Sequence, residues 1–392
     1  MKNRKEPSLA IYLGMVSFFT DVSTEMMRPI IPPFIVEVLK GSRLVLGFIS
    51  GLAEAISYAL RLVAGVLAGV TRKYWALTAL GYSLSTFSKP LTGAAPTWHW
   101  AALTVSTDRV GKAIRTPARD TLLSASARKE ILGKIFGIHR FLDQMGAVIG
   151  PLIAASLLWY LALNYRFILY LTIIPGILSL MFLYLAYRKF KGRIEIEPKA
   201  TSFHGVKVVA KMLLPVLLLV SIYGLGYLHI NFLIDRARVG FLFADYVVVL
   251  LYMVAQLFHA FAGLYFGRLF DRLGLLVMYF SIIFLALSSI TSLYTLLPIL
   301  IVFSFIFHGL QEGIHEVSWR ALIGKIISSE LRSLAYGLYH MVFGFSILAG
   351  SLIVGFLYEV YGYYAAILYV ITLHLVTVAI LTYILRKGLI KC

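Results

Sequence analysis

Cysteine occurs once in the 392 residues, as Cys392, so the chain can form no internal disulfide and no multi-cysteine metal site. Charge is also scarce: Asp, Glu, Lys and Arg make up 14% of the residues, against about 25% in an ordinary soluble domain. Acidic residues are the scarcer sign, 18 against 36 basic ones, for a formal net charge of +18. The sequence has no G-x-x-x-x-G-K-[ST] phosphate loop, no G-x-S-x-G elbow and no polar stretch large enough for a nucleotide-binding domain, which argues against nucleotide-driven pumping and hydrolase chemistry. What fills the chain is apolar: 60% hydrophobic residues and a mean hydropathy of +0.86, the composition of a bilayer protein.

Crossing the hydrocarbon core takes about 20 apolar residues. On that measure the sequence predicts twelve spans, near 9–38, 44–69, 74–92, 97–115, 132–161, 166–187, 208–235, 243–267, 274–291, 294–319, 332–357 and 363–385. Runs this long satisfy their backbone hydrogen bonds only as helices, so the expected fold is an all-α membrane protein. Lys2, Arg4 and Lys5 precede the first run in the manner of a signal peptide, but that run holds Asp21 and Glu25 and lacks a small-residue cleavage site, so a retained first span is expected.

Basic residues crowd alternate loops. Arg72 and Lys73, then Arg115, Arg119, Arg128, Lys129 and Lys134, then Arg188, Lys189, Lys191, Arg193, Lys199 and Lys207 fall on one side, with Lys391 near the end. The other side holds only Lys40, Arg43, Lys89, Arg166, Arg236 and Arg238. By the positive-inside rule, both termini are expected in the cytoplasm and the protein in the cytoplasmic membrane. The excess positive charge then serves topology and membrane lipid rather than nucleic acid.

The longest polar interruption, 188–207, divides the spans six and six: an N-terminal bundle 1–187, a cytoplasmic linker, and a C-terminal bundle 208–392. A weak internal repeat agrees, since 136–151 (FGIHRFLDQMGAVIGP) aligns with 336–351 (YGLYHMVFGFSILAGS), pairing Gly137 with Gly337 and Gly150 with Gly350. Spans three, six and nine carry no interior ionisable group and span twelve only His374, so these four are expected at the periphery and the others around a polar passage.

Asp21, Glu25 and Arg28 recur at helical spacing on one face of span one. Starting near Leu9, Asp21 stands about 18 Å along the helix, in mid-membrane. A carboxylate there must pair with a cation or take up a proton, the property that proton coupling uses. Glu54 and Arg61 share a face of span two. Asp108, Arg109 and Lys112 lie on span four, in a stripe continuing to Arg115 and Arg119, and His139, Arg140 and Asp143 on span five. Asp21, Glu25, Asp143, Glu54, Asp108 and His139 are the expected coupling residues, and Arg28, Arg61, Arg109, Lys112 and Arg140 the cationic wall of a substrate cavity. Static helix-to-helix ion pairs are the alternative. The second half adds Tyr223, Tyr227, Asn231, Gln256, His259, His308 and Glu312 to the cavity. His308, Glu312 and His315 have the spacing of half a metal site, but no second copy exists, so no bound metal or other cofactor is expected.

Gly267-Arg-Leu-Phe-Asp271-Arg272-Leu-Gly274, between spans eight and nine, resembles the cytoplasmic loop signature G-x-x-x-D-R-x-G of the major facilitator superfamily. Its first-half counterpart, Gly65 to Lys73, has Gly69 in place of the aspartate. Gly146, Gly150 and Pro151 resemble the span-five pattern G-x-x-x-G-P associated with that superfamily's antiporters, and equally fit ordinary small-residue packing. Asp21-x-x-x-Glu25-Met26 with Pro29 and Pro32, Gly51-x-x-Glu54-Ala55, Asp108-Arg109-x-Gly111-Lys112 and Phe136-Gly137-x-His139-Arg140-x-x-Asp143 are similar to a prokaryotic branch of the superfamily.

The resemblance covers essentially the whole chain and implies two pseudo-symmetric six-helix bundles, a monomer, and alternating access around a central site. Gly267, Asp271, Arg272, Gly274, Gly146, Gly150 and Pro151 would serve conformational change. The expected activity is secondary transport of a small solute, with proton-coupled efflux ahead of proton-symport uptake and of metal-ion or metal-chelate export. A non-transporting membrane sensor or lipid-handling protein is the reading outside that class.

Overall fold

A computed structural model describes residues 6–125, 132–160, 164–192, 206–293, 297–327 and 331–388; Arg128, Lys129, Arg193, Lys199 and Lys391 lie outside them. Each of the twelve expected segments is helical, and no strand occurs among the described residues. In chain order the helices are α1 (Glu6–Met27), α2 (Arg43–Thr71), α3 (Tyr74–Gly93), α4 (Trp98–Ala125), α5 (Leu132–Tyr160), α6 (Tyr165–Leu171 and Ile173–Phe190), α7 (Val206–Leu225 and Ile230–Val239), α8 (Asp245–Leu273), α9 (Val277–Thr291), α10 (Ile299–Ile326), α11 (Arg332–Tyr361) and α12 (Tyr363–Lys387).

The irregularities have local causes. After α1 the chain tightens and then widens through short 3-10, α and π turns over residues 28–38, where Pro29, Pro32 and Pro33 withhold backbone donors. The gap inside α7 is closed by His229, whose Nδ1 accepts from the Asn231 backbone at 3.2 Å and so caps the restarted helix. Arg72 turns the corner between α2 and α3 at φ 56°, a left-handed conformation that costs a non-glycine residue.

Seven stretches are long and apolar enough to cross a membrane by length and composition, together covering α2, α5, α6, α7, α8 with α9, α11 and α12. The helices outside that set, α1, α3, α4 and α10, carry the heaviest load of hydroxyl, charged and imidazole groups. Bare apolar side chains such as Leu264 (72% exposed) and Leu368 (68%) fit a hydrocarbon surround.

Contacts divide the chain into two units, 1–30 with 60–202 and 31–59 with 203–392. In the first, α5 closes on α1 through Gly146 and Gly150. A Cβ at Gly150 would stand 2.7 Å from the Val22 carbonyl oxygen and 3.0 Å from the Glu25 Cβ; one at Gly146 would overlap the Phe18 carbonyl and stand 3.1 Å from the Asp21 Cβ. A hydroxyl seam joins α1 to α6: Thr20 and Ser179 lie 2.6 Å apart, and Ser23 donates to the Thr172 carbonyl at 2.8 Å. In the second unit α11 closes on α7 in the same manner, with Gly350 against the Leu225 and Gly224 carbonyls, which gives the sequence repeat a structural counterpart. Residues 43–59 of α2 also belong to this unit. A Cβ at Gly51 would stand 2.7 Å from the Leu348 Cα, and Arg43 pairs with buried Asp235 at 2.9 Å while lying over the Tyr358 ring.

Candidate functional site

The first unit gathers its charges into two clusters on the facing surfaces of α1, α3, α4 and α5. In one, Asp21 and Asp143 are neighbouring acids across the α1–α5 contact, with Lys112 and Glu25 the other charged groups beside Asp21. Asp143 accepts from Ser17 Oγ and from Arg140, each at 2.9 Å, and Arg119 donates to Ser17 Oγ at 3.1 Å and to Asp120 at 2.8 Å. The close approach at Gly146 and Gly150 is what brings the α5 carboxyl to α1. His139, an expected coupling residue one turn from Asp143, is buried with its Nε2 unpartnered among the described residues. Glu25, also buried, meets Arg28 at 3.4 Å.

The second cluster centres on Asp108, 2% exposed at its side chain. It accepts from Ser85 Oγ and pairs with Lys89 Nζ at 3.7 Å and Arg109 Nε at 3.8 Å. Two turns on, Arg115 lies 4.7 Å over the Tyr82 ring. Lys89 departs from expectation: it stands near the end of α3, as read, but its side chain is wholly buried, so span three is not a clean peripheral helix. Glu54 and Arg61 are half-buried on α2, one on either side of the division between the units.

The second unit builds a chain of polar contacts across α7, α8 and α10. Tyr227 donates to Glu312 at 3.0 Å, Glu312 faces His259 at 3.7 Å, His259 meets Glu316 at 2.9 Å, and Glu316 accepts from Arg320 at 2.9 Å. Beneath it Tyr223 donates to Gln311 Oε1 at 2.6 Å and lies 2.9 Å from Ser281, while its ring stacks on His315 at 5.1 Å. His308 is fully buried with both ring nitrogens unpartnered among the described residues, its ring edge-on to Tyr227; Gln311 Nε2 is also unpartnered. Orphaned polar atoms inside a protein are costly. Asn231 donates to Ser50 at 2.8 Å and Gln256 to Tyr252 at 2.8 Å, both off this chain. His308, Glu312 and His315 do not gather into a metal cluster among the described residues.

Of the loop signature, Asp271 reaches Lys325 at the end of α10 (3.9 Å), and Gly274 adopts φ 55°, the left-handed turn that favours glycine. Sequence reasoning overlooked Ser17, Ser85, Gln311, Ser281 and Tyr58, the last stacked on His340 at 5.1 Å. Only the run of hydroxyls around Lys89 (Ser83, Ser85, Thr86, Ser88) signalled that span three has a polar inner face.

This is a multi-pass all-α protein whose membrane helices turn charged faces on one another, the arrangement of a solute carrier. The family model of the Major Facilitator Superfamily matches residues 13–291 and 218–388, and the chain belongs to that superfamily of membrane transporters. It is 31% identical over 366 residues to an uncharacterised MFS-type transporter of Methanocaldococcus jannaschii, covering 92% of this chain and 91% of that one. An uncharacterised protein of Mycobacterium tuberculosis is 31% identical over 355 residues, 88% of this chain and 86% of its own length. Among solved structures, a peptide transporter POT in complex with sulfate superposes with TM-score 0.81 at 14% identity (98% of this chain, 96% of that chain). The nucleoside transporter NupG, as a mutant, superposes with 0.79 at 15% (95% and 99%). At these identities the structural likeness establishes the fold, all-α and of the major facilitator type.

Proposed function

We propose that the protein is a proton-coupled secondary transporter of the cytoplasmic membrane, exporting a small solute by antiport, with both termini in the cytoplasm. The observation that carries this reading is the Asp21–Asp143 contact. Two neighbouring, half-buried carboxyls on α1 and α5, each at mid-span, hold one proton between them more readily than two charges. Lys112 on one side and Ser17, Arg119 and Arg140 on the other offer alternative partners when that proton leaves. Loss of the proton therefore changes which helices are tied together, which is what coupling to a conformational cycle needs.

The substrate end is the second unit's array of Tyr223, Tyr227, His259, His308 and Glu312, where His308 and Gln311 bring unmet hydrogen-bonding capacity. The halves 1–187 and 208–392, joined through 188–207, alternate access to the two groups in turn. Gly146, Gly150 and Pro151 form the flexing seam beside the coupling pair, and the antiporter resemblance of that seam supports export.

The test begins with a thermal-stability screen of purified protein across compound classes, then reconstitutes it with the best ligand. Asp21→Asn and Asp143→Asn are expected to abolish transport driven by an imposed pH gradient while leaving ligand exchange at symmetrical pH. Gradient-driven transport unchanged in both variants would reject the assignment, and uptake driven by inward rather than outward proton flow fixes the direction.

A further inference from the structure

A cavity of about 740 Å³ opens in the first unit between the beginning of α3 and the end of α6, away from both charge clusters. Its volume falls within the roughly 300–1,000 Å³ of small-molecule sites. Its lining changes character with depth. Arg72 and Lys73, on the corner before α3, and Lys191, just past α6, stand at one end, and no carboxylate lines it among the described residues. One turn further in come the aromatic rings: Trp75 meets Tyr187 edge-on at 5.6 Å, the Lys191 ammonium sits 5.0 Å over Tyr187, and Tyr184 is 57% exposed. Deeper still the wall is aliphatic, with Ala79 on α3 and Leu180 and Leu183 on α6.

From Tyr74 to Ser83, the deepest lining residue of α3, the helix rises about 14 Å. That is close to one leaflet of a hydrocarbon core about 30 Å thick. Cations, then a belt of amphipathic rings, then aliphatic wall over the depth of one leaflet is the polarity profile of a phospholipid with an anionic headgroup. A soluble anion would use the first zone and leave the other two without a role.

We infer that this groove is a binding site for an anionic phospholipid, whose phosphate is held by Arg72, Lys73 and Lys191 and whose acyl chain lies along Ala79, Leu180 and Leu183. The site backs onto the apolar core where α1 meets Tyr82, Leu122 and Leu183. An occupying lipid therefore stiffens the packing of α1 in the first unit. The site also gives a role to Arg72 and Lys73 in a first-half loop that has Gly69 where the second-half signature has its aspartate. The inference rests on the chain being embedded in a membrane and not on the transport mechanism.

Full-length protein in a neutral detergent is titrated with phosphatidylglycerol, with phosphatidylcholine of the same chains and with inorganic phosphate, while retained lipid is counted by native mass spectrometry and unfolding temperature is followed. Phosphatidylglycerol is expected to be retained and to raise the unfolding temperature, with roughly fivefold weaker binding for each of Arg72→Gln, Lys73→Gln and Lys191→Gln. Ala79→Trp, which fills the aliphatic part at an exposed position and leaves the cations intact, is expected to weaken phosphatidylglycerol binding as well. The control pair Lys207→Gln and Lys211→Gln, exposed on α7, leaves it unchanged. Equal retention of phosphatidylcholine, equal stabilisation by inorganic phosphate, or indifference to Ala79→Trp would overturn the inference, the second by making the groove a soluble-anion site.

Discussion

Lys89 shows how a single side chain can be placed correctly along a helix and misjudged in its environment. Near the end of an apolar segment a lysine ordinarily extends to the membrane surface. Here its ammonium is wholly buried against Asp108, which also holds Ser85 and Arg109. Breaking a buried pair by removing one partner strands the other charge, at a cost of about 3–5 kcal/mol. Lys89→Met and Asp108→Asn should therefore each lower the unfolding temperature strongly, and the double variant should be more stable than the sum of the two losses predicts. Strict additivity in a thermal-unfolding cycle would mean the two groups do not interact. His308 poses the complementary case, a buried ring edge-on to Tyr227 whose two nitrogens have no hydrogen-bond partner among the described residues.

Between elements, the decisive contacts are made by residues with almost no side chain. Adding a methyl at Gly150 forces α5 away from the Val22 carbonyl, an overpacking expected to cost about 1–3 kcal/mol. Gly150→Ala should therefore lower the unfolding temperature and also loosen Asp143 from Asp21; an unchanged melting profile would contradict the close packing. The same alanine at Ala154, one turn along, is already native and buried, so the demand is local to Gly146 and Gly150.

The sequence made the helices legible because hydropathy in a bilayer leaves few alternatives: each expected segment is helical, though α1 ends at Met27 where the span was read to 38, and α4 runs on to Ala125 where it was read to 115. It made the charged residues legible individually, since each ionisable group in a membrane span is conspicuous. It did not reveal their partners. That Asp143 accepts from Ser17 on α1 could not be read from the sequence, because helical spacing identifies neighbours on one helix and not those across a glycine contact. Hydroxyl partners such as Ser17 and Ser85 were invisible because serine is unremarkable in any context.

For the whole molecule, the family establishes a membrane transporter. The first unit gathers acids and bases in contact with one another on α1, α3, α4 and α5, and the second, beside ion pairs of its own, gathers tyrosine, histidine and amide groups. On the proposed reading the former stores the proton and the latter meets the solute, so variants in the two should separate coupling from binding. The most direct measurement is an acid-minus-base infrared difference spectrum of the purified protein. The account predicts a protonated-carboxyl band that vanishes in Asp21→Asn and shifts in Asp143→Asn. A carboxyl band indifferent to both substitutions, or none at all, would contradict a proton shared between α1 and α5.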